Sequence, residues 1–329
     1  MKKILNKLFE NQKLTKEEAY DTLTKIASNE YNESQVAAFI TVYLMRSISV
    51  EELAGFQEAL LELCLKTEID NKEVIDLCGT GGDGKNTFNI STLASFVVAG
   101  AGYKVTKHGN YGVSSACGSS NVLEYLGAKF TNDTLLLAKQ LNNANICFLH
   151  APLFHPALKS VAPIRKNLGV KTFFNMLGPL VNPVQPKQQL VGVFNLETAR
   201  IYSYLLNAKN ITFNIVHTLS GYDEISLTDS YKIINNEGEA IINPLEQFNV
   251  LLNEADLFGG LDIQSSAKIF TSILEGNGSE AQNKAVLVNA AYAINCFEKT
   301  TINDCMEIAE KSLFNHNALK AFKKYINLN

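Results

Sequence analysis

A glycine-rich loop behind a short apolar segment is the first feature of the sequence that could do chemistry. Val74 to Cys78 has the composition of a buried strand, and the next six residues are Gly79-Thr-Gly-Gly-Asp-Gly84. Glycines let backbone amides converge on an anion, and a helix that follows adds the positive end of its dipole. A tight strand-to-helix turn is the simpler explanation, but four glycines in six residues exceed what a turn needs. The loop therefore favours an anion-binding site.

Two nucleotide-binding patterns match the loop only in part. Gly79-x-Gly81-x-x-Gly84 fits the dinucleotide fingerprint, but the second predicted strand ends in Lys107-His108 and lacks the acidic partner for a ribose hydroxyl. Gly84-Lys85 fits a Walker A loop, but Asn86 stands where a serine or threonine would bind magnesium. Asp83 also places a carboxylate inside the proposed anion cradle. Both assignments are weak.

A third interpretation accounts for Asp83, because a ligand that combines phosphates with a sugar needs an acceptor for hydroxyls or a metal as well as amides. Asn89-Ile-Ser-Thr92 lies at the start of a predicted helix, and Lys107-His-Gly-Asn110 follows the next predicted strand. Connections that leave the carboxyl ends of neighbouring parallel strands meet at one edge of the sheet. The sequence therefore predicts a crevice there, which the hydroxyls of Ser114, Ser115 and Ser119 would also line.

Two more positions carry suitable chemistry on weaker grounds. Asp223-Glu224 follows the turn signal Ser220-Gly221, and neighbouring carboxylates can reach one site only from a loop, since strand neighbours point to opposite faces. Carboxylate oxygens suit magnesium, although an isolated acidic pair is more often a solvated loop. Arg165, one of only three arginines, offers a planar fork for a carboxylate, whereas an isolated helical arginine is usually a surface residue.

The elements that would position these residues change in character near residue 74. Residues 1–70 carry helical periodicity and two capping-box patterns, Thr15-x-x-Glu18 and Ser49-x-x-Glu52. Beyond them, strand and helix patterns alternate, which predicts a mainly parallel sheet covered on both faces. The predicted strands are 74–78, 103–107, 146–149, 189–194 and 211–217, with a hairpin at 231–243. The predicted helices are 91–100, 119–126, 156–168, 197–208 and the tail from 265.

The composition excludes several classes of protein. With 46% hydrophobic and 19% charged residues the chain is globular, and 29 basic against 33 acidic residues give a net charge of −4. A net negative chain is poorly suited to coating nucleic acid or anionic membranes. The six cysteines show no metal-finger spacing, and neither a signal peptide nor a membrane span is evident, so we expect a cytoplasmic protein.

Taken together, the motifs resemble those of the anthranilate phosphoribosyltransferase family of tryptophan biosynthesis. The matching blocks run in order from about residue 76 to 291. They are Asp76-Leu-Cys-Gly-Thr-Gly-Gly-Asp83, Thr87-Phe-Asn-Ile-Ser-Thr92, Lys107-His-Gly-Asn110, Ser114-Ser115, Gly118-Ser119, His155-Pro156, Ala162-Pro-Ile-Arg165, Phe174-Asn-Met-Leu-Gly-Pro179, Asn182-Pro183, Asp223-Glu224 and Asn289-Ala-Ala291. The combination is far more specific than any one glycine loop.

The resemblance implies a fold and a domain organisation. The fold class is α/β, of the nucleoside phosphorylase and phosphoribosyltransferase type. A small all-helical domain, residues 1–70, packs on a large α/β domain, residues 71–329, and helices around 160–185 pack on the helical domain. The helical domain would form the interface of a homodimer.

The resemblance also implies a reaction. The 5-phosphoribosyl group of phosphoribosyl pyrophosphate (PRPP) passes to the amino nitrogen of anthranilate, which releases pyrophosphate. Two Mg²⁺ ions per subunit are expected, neither nucleic acid nor membrane is a partner, and no residue is assigned as a general base because an aryl amine is already a nucleophile near neutral pH.

The family's roles map onto this chain residue by residue. The residues expected to bind PRPP are Gly79, Gly82, Asp83, Thr87, Asn89, Ile90, Ser91, Thr92, Lys107, His108, Gly109, Asn110, Gly112, Val113, Ser114, Ser115 and Ser119. Those expected to meet anthranilate are Gly79, His108, Asn110 and Arg165, and those expected to bind magnesium are Ser91, Asp223 and Glu224.

The chain departs from the family pattern at three places, and two other functions stay open. Tyr111 stands where a basic residue is frequent, Ala116-Cys117 replaces a more polar pair, and Asn121 stands where aspartate is common. The alternatives are a pyrimidine nucleoside phosphorylase-like enzyme, which the Asp223-Glu224 pair fits poorly, and a non-catalytic nucleic-acid-binding relative, which would need a basic surface.

Overall fold

The structure, a computed structural model, describes residues 1–70, 72–112, 117–298 and 300–328. The first part is helical, as the periodicity predicts. Its helices are α1 (Lys2–Phe9), α2 (Lys16–Ala27), α3 (Glu33–Met45) and α4 (Val50–Leu63). Both predicted capping boxes form, at the starts of α2 and α4, and Asn32 with Gln35 forms a third at α3. Each box satisfies backbone amides that the first turn leaves without a partner.

A seven-stranded sheet forms the centre of the second part. Its strands are β1 (Val74–Leu77), β2 (Lys104–Gly109), β3 (Ile146–His150), β4 (Gln188–Gly192), β5 (Thr212–Thr218), β6 (Tyr231–Asn235) and β7 (Gly238–Ile242). The order is β3-β2-β1-β4-β5-β6-β7, with the first five strands parallel and the β6–β7 hairpin added antiparallel. The prediction of a mainly parallel sheet is confirmed, and so is the prediction of the hairpin.

Helices cover both faces of this sheet, and several of them differ from the sequence prediction. They are α5 (Ile90–Gly100), α6 (Ser119–Tyr125), α7 (Thr134–Ala144), α8 (Ala151–Phe154), α9 (Ala162–Leu168), α10 (Leu196–Ala208), α11 (Pro244–Phe248), α12 (Ile263–Leu274), α13 (Glu280–Ile294), α14 (Ile302–Phe314) and α15 (Asn317–Asn327), with short 3₁₀ turns at Pro156–Lys159, Phe173–Met176, Gly178–Leu180 and Glu254–Leu257. The single helix predicted over 156–168 is wrong. The chain makes a 3₁₀ turn there and then starts α9 with Pro163 in its first turn, where a missing N–H is tolerated. Helices α7, α8 and α11 are absent from the sequence prediction.

Two large apolar clusters hold these layers together. One joins the sheet to α5 and the C-terminal helices. The other joins the N-terminal helices, including α2, α3 and α4, to the segment 161–181 and to α10. In the second cluster Phe173 stacks on Phe56 with ring centroids 4.7 Å apart and meets Phe39 edge-on at 6.1 Å. Aromatic pairs in these geometries add to the burial of their area. In the described part of the chain no helix is long and apolar enough to cross a membrane.

The strand order marks where a ligand would bind. From β1 the chain moves to β2 and β3 on one side and later returns to place β4 on the other side of β1. In open α/β sheets, ligands occupy the crevice outside the carboxyl ends of strands at such a reversal. The glycine-rich loop leaves the carboxyl end of β1, the Lys107-His-Gly-Asn110 block lies at that of β2, and the Asp223-Glu224 pair follows that of β5.

Candidate active site

A cavity of about 280 Å³ lies at the carboxyl edge of the sheet and gathers most of the predicted site residues. The predicted residues that line it are Gly79, Gly82, Asp83, Thr87, Asn89, Ser91, Thr92, Lys107, His108, Gly109, Asn110, Gly112, Ser119, Arg165, Asp223 and Glu224. Ile90 does not line it: this first residue of α5 turns an apolar side chain into the core and is fully buried. Val113, Ser114 and Ser115 lie outside the described residues.

The glycine loop, residues 79–84, packs closely against the side chain of Asp223. The Gly81 N–H donates to Asp223 Oδ2 at 2.6 Å, and a Cβ on Gly79 would lie 2.6 Å from the same oxygen. Gly81, Gly82 and Gly84 have φ values of 64°, 77° and 77°, which glycine adopts without strain. Glycine is therefore needed here both for the shape of the loop and for the close approach of Asp223.

The two carboxylates lie together in the loop between β5 and β6, as predicted, with Asp223 buried and Glu224 partly buried. Glu224 Oε1 accepts a hydrogen bond from the Ser91 N–H at 3.0 Å. Burial, followed by the charge of Asp83, raises the pKa of Asp223, while burial, followed by the charges of Asp223 and Asp83, raises the pKa of Glu224. Three neighbouring carboxyl groups, of which Asp223 is buried and the other two are partly buried, repel one another, so this cluster favours a nearby cation.

The donor set fits magnesium in one specific manner. Among the described residues, no three His, Cys, Asp or Glu side chains converge to hold an ion by themselves. Mg²⁺ commonly binds through one or two carboxylates and completes its shell with water and substrate phosphate oxygens. Asp223, Glu224 and the hydroxyl of Ser91 suit that arrangement, since all three line the cavity.

A buried lysine faces the acidic side of the cavity. Lys107 is 2% exposed, and its Nζ donates to the Leu77 carbonyl at 2.5 Å and lies 3.5 Å from Ser91 Oγ. Helix α5 begins beside it, and the side chain of its N-cap residue Asn89 does not cap the helix but donates to the Cys117 carbonyl at 3.1 Å. The cavity thus combines a fixed ammonium with a helix N-terminus that its own N-cap side chain leaves uncapped, where Glu224 engages the Ser91 amide.

Behind this edge lies a buried polar link that the sequence did not reveal. Asp76, fully buried on β1, accepts from the His108 N–H at 3.0 Å and from Asn182 Nδ2 at 2.9 Å. Asn182 also donates to the Thr106 carbonyl at 2.8 Å. Burial raises the pKa of Asp76 to about 6, although nearby Lys107 opposes the shift. The link fixes the end of β2 relative to β1, and only the proximity of residues 106 positions apart creates it.

Two buried histidines form part of the opposite wall. His108 Nδ1 lies 2.9 Å from the Gly178 carbonyl, which can only accept, so Nδ1 carries the proton and Nε2 is left as an acceptor. Nε2 is buried and has no hydrogen-bond partner among the described residues. The ring of His155 lies 5.3 Å from that of His108, and burial lowers the pKa of His108 to about 3 and that of His155 to about 4. Both imidazoles are therefore neutral at pH 7.

Arg165 enters the cavity from α9. Its guanidinium lies 5.3 Å from the Phe174 ring centre, and Nη2 lies 3.4 Å from Asn175 Oδ1. Burial lowers the pKa of Arg165, and within the described ranges no carboxylate forms an ion pair with it. A partly desolvated guanidinium without an acidic partner is well suited to a carboxylate from a ligand. Phe174 and Asn175 belong to the quoted motifs, but no role is predicted for them from the sequence.

Two of the three departures from the family pattern, Asn121 and Tyr111, make local contacts, whereas the third includes Ala116, which lies outside the described residues. Asn121 Oδ1 accepts from the Gly112 N–H at 2.9 Å and the Gly118 N–H at 3.0 Å, so it holds together the two described ends of this loop. The Tyr111 ring meets that of His150 edge-on at 4.8 Å. Lys171, for which the sequence predicts no role, lies between α9 and the 3₁₀ turn at Phe173–Met176. Its Nζ donates to the Gly82 carbonyl and so holds the glycine loop in place.

Comparison with known proteins agrees with this arrangement. Residues 2–64 match the model of the glycosyl transferase family helical bundle domain, and residues 71–319 match that of the glycosyl transferase family a/b domain. The chain is 58% identical over 325 residues to anthranilate phosphoribosyltransferase from Flavobacterium johnsoniae, with 98% of each chain covered.

Solved structures of the same enzyme superpose closely. That from Thermus thermophilus gives a TM-score of 0.91 at 29% identity and covers 98% of each chain. That from Saccharomyces cerevisiae, in complex with PRPP and Mg, gives a TM-score of 0.88 at 26% identity and covers 98% of this chain and 96% of the other.

The helical bundle, the α/β domain and the anion-binding edge define a glycosyl-transferring enzyme of two-domain architecture. Identity over nearly the whole length narrows the class, and the chain belongs to the anthranilate phosphoribosyltransferase family. It catalyses the transfer of a phosphoribosyl group to anthranilate in tryptophan biosynthesis. The resemblance seen in the sequence is confirmed, whereas neither the nucleoside phosphorylase nor the nucleic-acid-binding alternative is supported.

Proposed function

We propose that the cavity binds PRPP at the glycine loop and anthranilate near Arg165, so that the amino nitrogen of anthranilate faces C1 of the ribose. In the reaction the C1–oxygen bond to pyrophosphate breaks, a C1–nitrogen bond forms, and the amino nitrogen loses a proton. One observation carries this assignment: a cavity that joins an anion cradle and a buried carboxylate pair also contains an arginine with no acidic partner among the described residues.

The PRPP half consists of fixed donors. Backbone amides of the glycine loop and of the first turn of α5, together with Lys107, address the phosphates, and the hydroxyls of Thr87, Thr92 and Ser119 add further donors. Such donors stabilise the negative charge that grows on pyrophosphate as it leaves, because they are already oriented and need no rearrangement. Asp83 offers an acceptor to ribose hydroxyls. Any contribution from Val113, Ser114 and Ser115 remains part of the proposal alone.

We also propose that Asp223, Glu224 and Ser91 hold two Mg²⁺ ions together with phosphate oxygens. Two positions are supported because Asp223 accepts from the glycine loop whereas Glu224 accepts from the start of α5, so the carboxylates address different sides of the cavity. When bound, the ions would neutralise the buried carboxylates and polarise the leaving pyrophosphate. The yeast enzyme, solved in complex with PRPP and Mg, supports the identity of the ion, and the number of two is our proposal.

In the anthranilate half, the chain's own residues orient the substrate. Arg165 would receive the carboxylate, and Asn110 and Gly79 would border the ring. His108 Nε2, an acceptor because Nδ1–H is committed to Gly178, would accept a hydrogen bond from the aromatic amine and turn the nitrogen lone pair toward C1. A neutral imidazole suffices for this positioning, and we assign no general base.

The direct experiment follows anthranilate fluorescence in the presence of PRPP and Mg²⁺. We expect fluorescence to fall as product forms, and the fall to stop when Mg²⁺ is removed with a chelator and to resume when it is restored. Omission of PRPP is the control. Consumption that needed neither PRPP nor Mg²⁺ would contradict the proposal.

We further propose a homodimer that forms through the helical domain, residues 1–70, with residues 71–329 as the catalytic domain. The match to the helical bundle model ends at residue 64, and the match to the a/b domain model begins at residue 71, which supports this division. Phe9 on α1 and Leu44 and Met45 on α3 are 63%, 46% and 86% exposed, and a partner subunit bound to these helices would cover such large apolar side chains.

Sedimentation velocity would test the dimer. We expect the wild type to sediment as a dimer and Met45→Glu to shift toward the monomer, because a charge would be buried at the interface. Leu135→Glu, at an 82% exposed position on α7, is the matched control and should leave the dimer intact. A monomeric wild type, or equal effects of both changes, would refute the interface.

Finally, we propose a cytoplasmic location. All six cysteines are unpaired, and five of them are buried, as expected for a protein that folds in a reducing compartment. Cell fractionation would test this, and recovery of the protein with the periplasm would contradict it.

A further inference from the structure

A second cavity, of about 240 Å³, lies at the opposite edge of the sheet, where β4 and β5 begin. Gln57 and Leu61 of α4 and Leu206 of α10 form its inner part, and Lys187 and Lys209 line it where the chain approaches the two strands. It is separate from the site described above, and the proposed reaction uses none of these residues.

The inner end of this cavity contains a hydrogen-bond acceptor without a donor. Gln57 is 3% exposed, and its Nε2 donates to the Leu180 carbonyl at 2.7 Å, which fixes the orientation of the amide. Its Oε1 is buried and has no partner among the described residues. A buried acceptor without a donor is costly, so its presence points to a donor group that a ligand would supply.

The cavity also carries positive charge without a matching carboxylate. In the part of the chain that the structure describes, neither Lys187 nor Lys209 forms an ion pair. Burial lowers the pKa of Lys209, Glu58 opposes this shift, and Lys16 and Lys187 reinforce it. Glu58 is itself paired with Lys16 at 2.5 Å, so three ammonium groups share one carboxylate. An anion at this position would restore the balance.

The remaining walls are apolar, formed by Leu61, Leu206, Ile211 and Pro186. At 240 Å³ the cavity is smaller than the sites of about 300–1,000 Å³ that hold drug-sized ligands. We propose that it binds a small organic carboxylate with an apolar body and a neutral O–H or N–H donor, of the hydroxybenzoate type. The carboxylate would lie between Lys187 and Lys209, and the donor would reach Gln57 Oε1. A ligand with its own ammonium group, such as an α-amino acid, is disfavoured by the lysines.

A ligand bound in this cavity would affect substrate binding at the active site, because the two cavities share a wall. Gly178 and Val181 line the first cavity, and Leu180 lines the second. The Gly178 carbonyl accepts from His108 and the Leu180 carbonyl accepts from Gln57. A ligand that engages Gln57 therefore acts on the segment that orients His108, and we expect it to change the KM for anthranilate.

Calorimetric titration of the full-length protein with 4-hydroxybenzoate tests the proposal. We expect a dissociation constant on the order of 1 mM for a ligand of about ten non-hydrogen atoms. Benzoate, which lacks the donor, should bind about tenfold more weakly because Gln57 Oε1 stays unpaired. The double variant Lys187→Gln, Lys209→Gln should weaken binding by about tenfold or more. Lys268→Gln, which removes an exposed lysine of α12 that does not line the cavity, is the matched control and should bind as the wild type does.

A variant of the first cavity separates the two sites. 4-Hydroxybenzoate bound near Arg165 in place of anthranilate would lose affinity in Arg165→Ala and keep it in the lysine double variant. We expect the reverse pattern, and we expect the effect of 4-hydroxybenzoate on the KM for anthranilate to vanish in the lysine double variant. Circular dichroism melting would verify that each variant is folded. The absence of saturable binding, equal binding by the double variant, or loss of binding in Arg165→Ala would each overturn the proposal.

Discussion

At the scale of single residues, the site depends on charges whose environment differs from what their types suggest. Asp223 is buried and Glu224 partly buried next to Asp83, and burial raises the pKa of both. Arg165 is partly desolvated and has no acidic partner in the described ranges. Each of these groups is less stable in the protein alone than it would be with a ligand of opposite charge. That imbalance leads to two predictions.

The first concerns the carboxylate pair. Asp223→Asn with Glu224→Gln should lower kcat/KM by about a hundredfold or more, because the amides hold magnesium poorly. The same change should leave the melting temperature without metal unaltered or higher, since it removes repulsion between buried carboxylates. Added Mg²⁺ with PRPP should raise the melting temperature of the wild type and not that of the variant. Wild-type kinetics in the variant would refute the metal assignment.

The second concerns Arg165. Arg165→Ala should raise the KM for anthranilate by about thirtyfold, the loss expected for a charged hydrogen bond, with a smaller effect on the KM for PRPP. Steady-state assays that vary each substrate in turn would measure both constants. Arg200→Ala, at an exposed position on α10, is the control and should change neither. An equal effect on the two KM values would contradict the proposed role.

At the scale of elements, the helical domain, residues 1–70, depends on an ion pair that its sequence does not indicate. Arg46 follows the end of α3 and is paired with a residue of the next helix. Its guanidinium makes two contacts with Glu52 of α4, at 2.5 and 2.9 Å, and Glu52 is fully buried. Glu52 also accepts hydrogen bonds from the Leu14 N–H, just before α2, and from the Ser49 N–H, at the start of α4. One carboxylate of α4 therefore holds the end of α3 and the start of α2 in place.

Removal of the Glu52 carboxylate should therefore destabilise the helical domain. Glu52→Gln should lower the free energy of unfolding by about 3 kcal/mol, because Arg46 would be left partly buried and unpaired. Although burial raises the pKa of Glu52, the bonds from Arg46, Leu14 and Ser49 outweigh it and leave that pKa below its usual value of 4.5. The stabilisation is therefore present above about pH 4.5 and is lost as the pH falls through the lowered pKa.

Urea unfolding of the wild type and the variant at neutral pH would measure the loss. Glu307→Gln is the matched control, since Glu307 pairs with Lys311 on the surface of α14 at 3.7 Å and should contribute little. A loss in Glu52→Gln no greater than that in the control would show that the buried pair is not a main support of the helical domain.

Helix prediction itself succeeds or fails for identifiable reasons. The helices at 2–63 show regular periodicity, three of them begin with capping boxes, and the sequence predicts the four as a group. Helix α7 escapes prediction because its apolar residues do not keep to one face: Leu135 is 82% exposed although Leu137 and Leu141 are buried. Local pattern indicates a helix only when one side of that helix is consistently buried.

At the scale of the whole molecule, packing of the helical layer against the sheet encloses two neutral histidines. His108 and His155 have pKa values lowered to about 3 and about 4 from an ordinary value of 6.5, in both cases chiefly by burial. The unfolded chain binds protons at these positions below about pH 6.5, whereas the folded protein does not until its lower pKa is reached. Stability contributed by these two groups therefore decreases as the pH falls from about 6.5 toward 4.

His155→Leu isolates one of these contributions. Between pH 7 and pH 5, one such histidine should cost the wild type about 2 kcal/mol of unfolding free energy, and the variant should lack this part of the decline. Urea unfolding at the two pH values would measure the difference. Phe154→Leu, at a buried neighbouring position without a titratable group, is the control and should keep the wild-type pH dependence. The same pH dependence in His155→Leu and the wild type would disprove the assignment.

The sequence by itself determined the local features of this protein. Glycine and hydroxyl spacing identified the loop after β1 and the blocks at α5 and β2, and alternating patterns identified a mainly parallel sheet. The tertiary structure decided which of these residues meet. The link from Asp76 to Asn182 and the contact of Gly81 with Asp223 join segments that lie 106 and 142 positions apart in the chain. The unpaired state of Arg165 and the burial of Glu52 beside Arg46 likewise depend on how the chain packs. Spacing along a chain records what neighbouring residues can do, whereas burial and partnership depend on how distant segments pack, and these set the charge states on which catalysis depends.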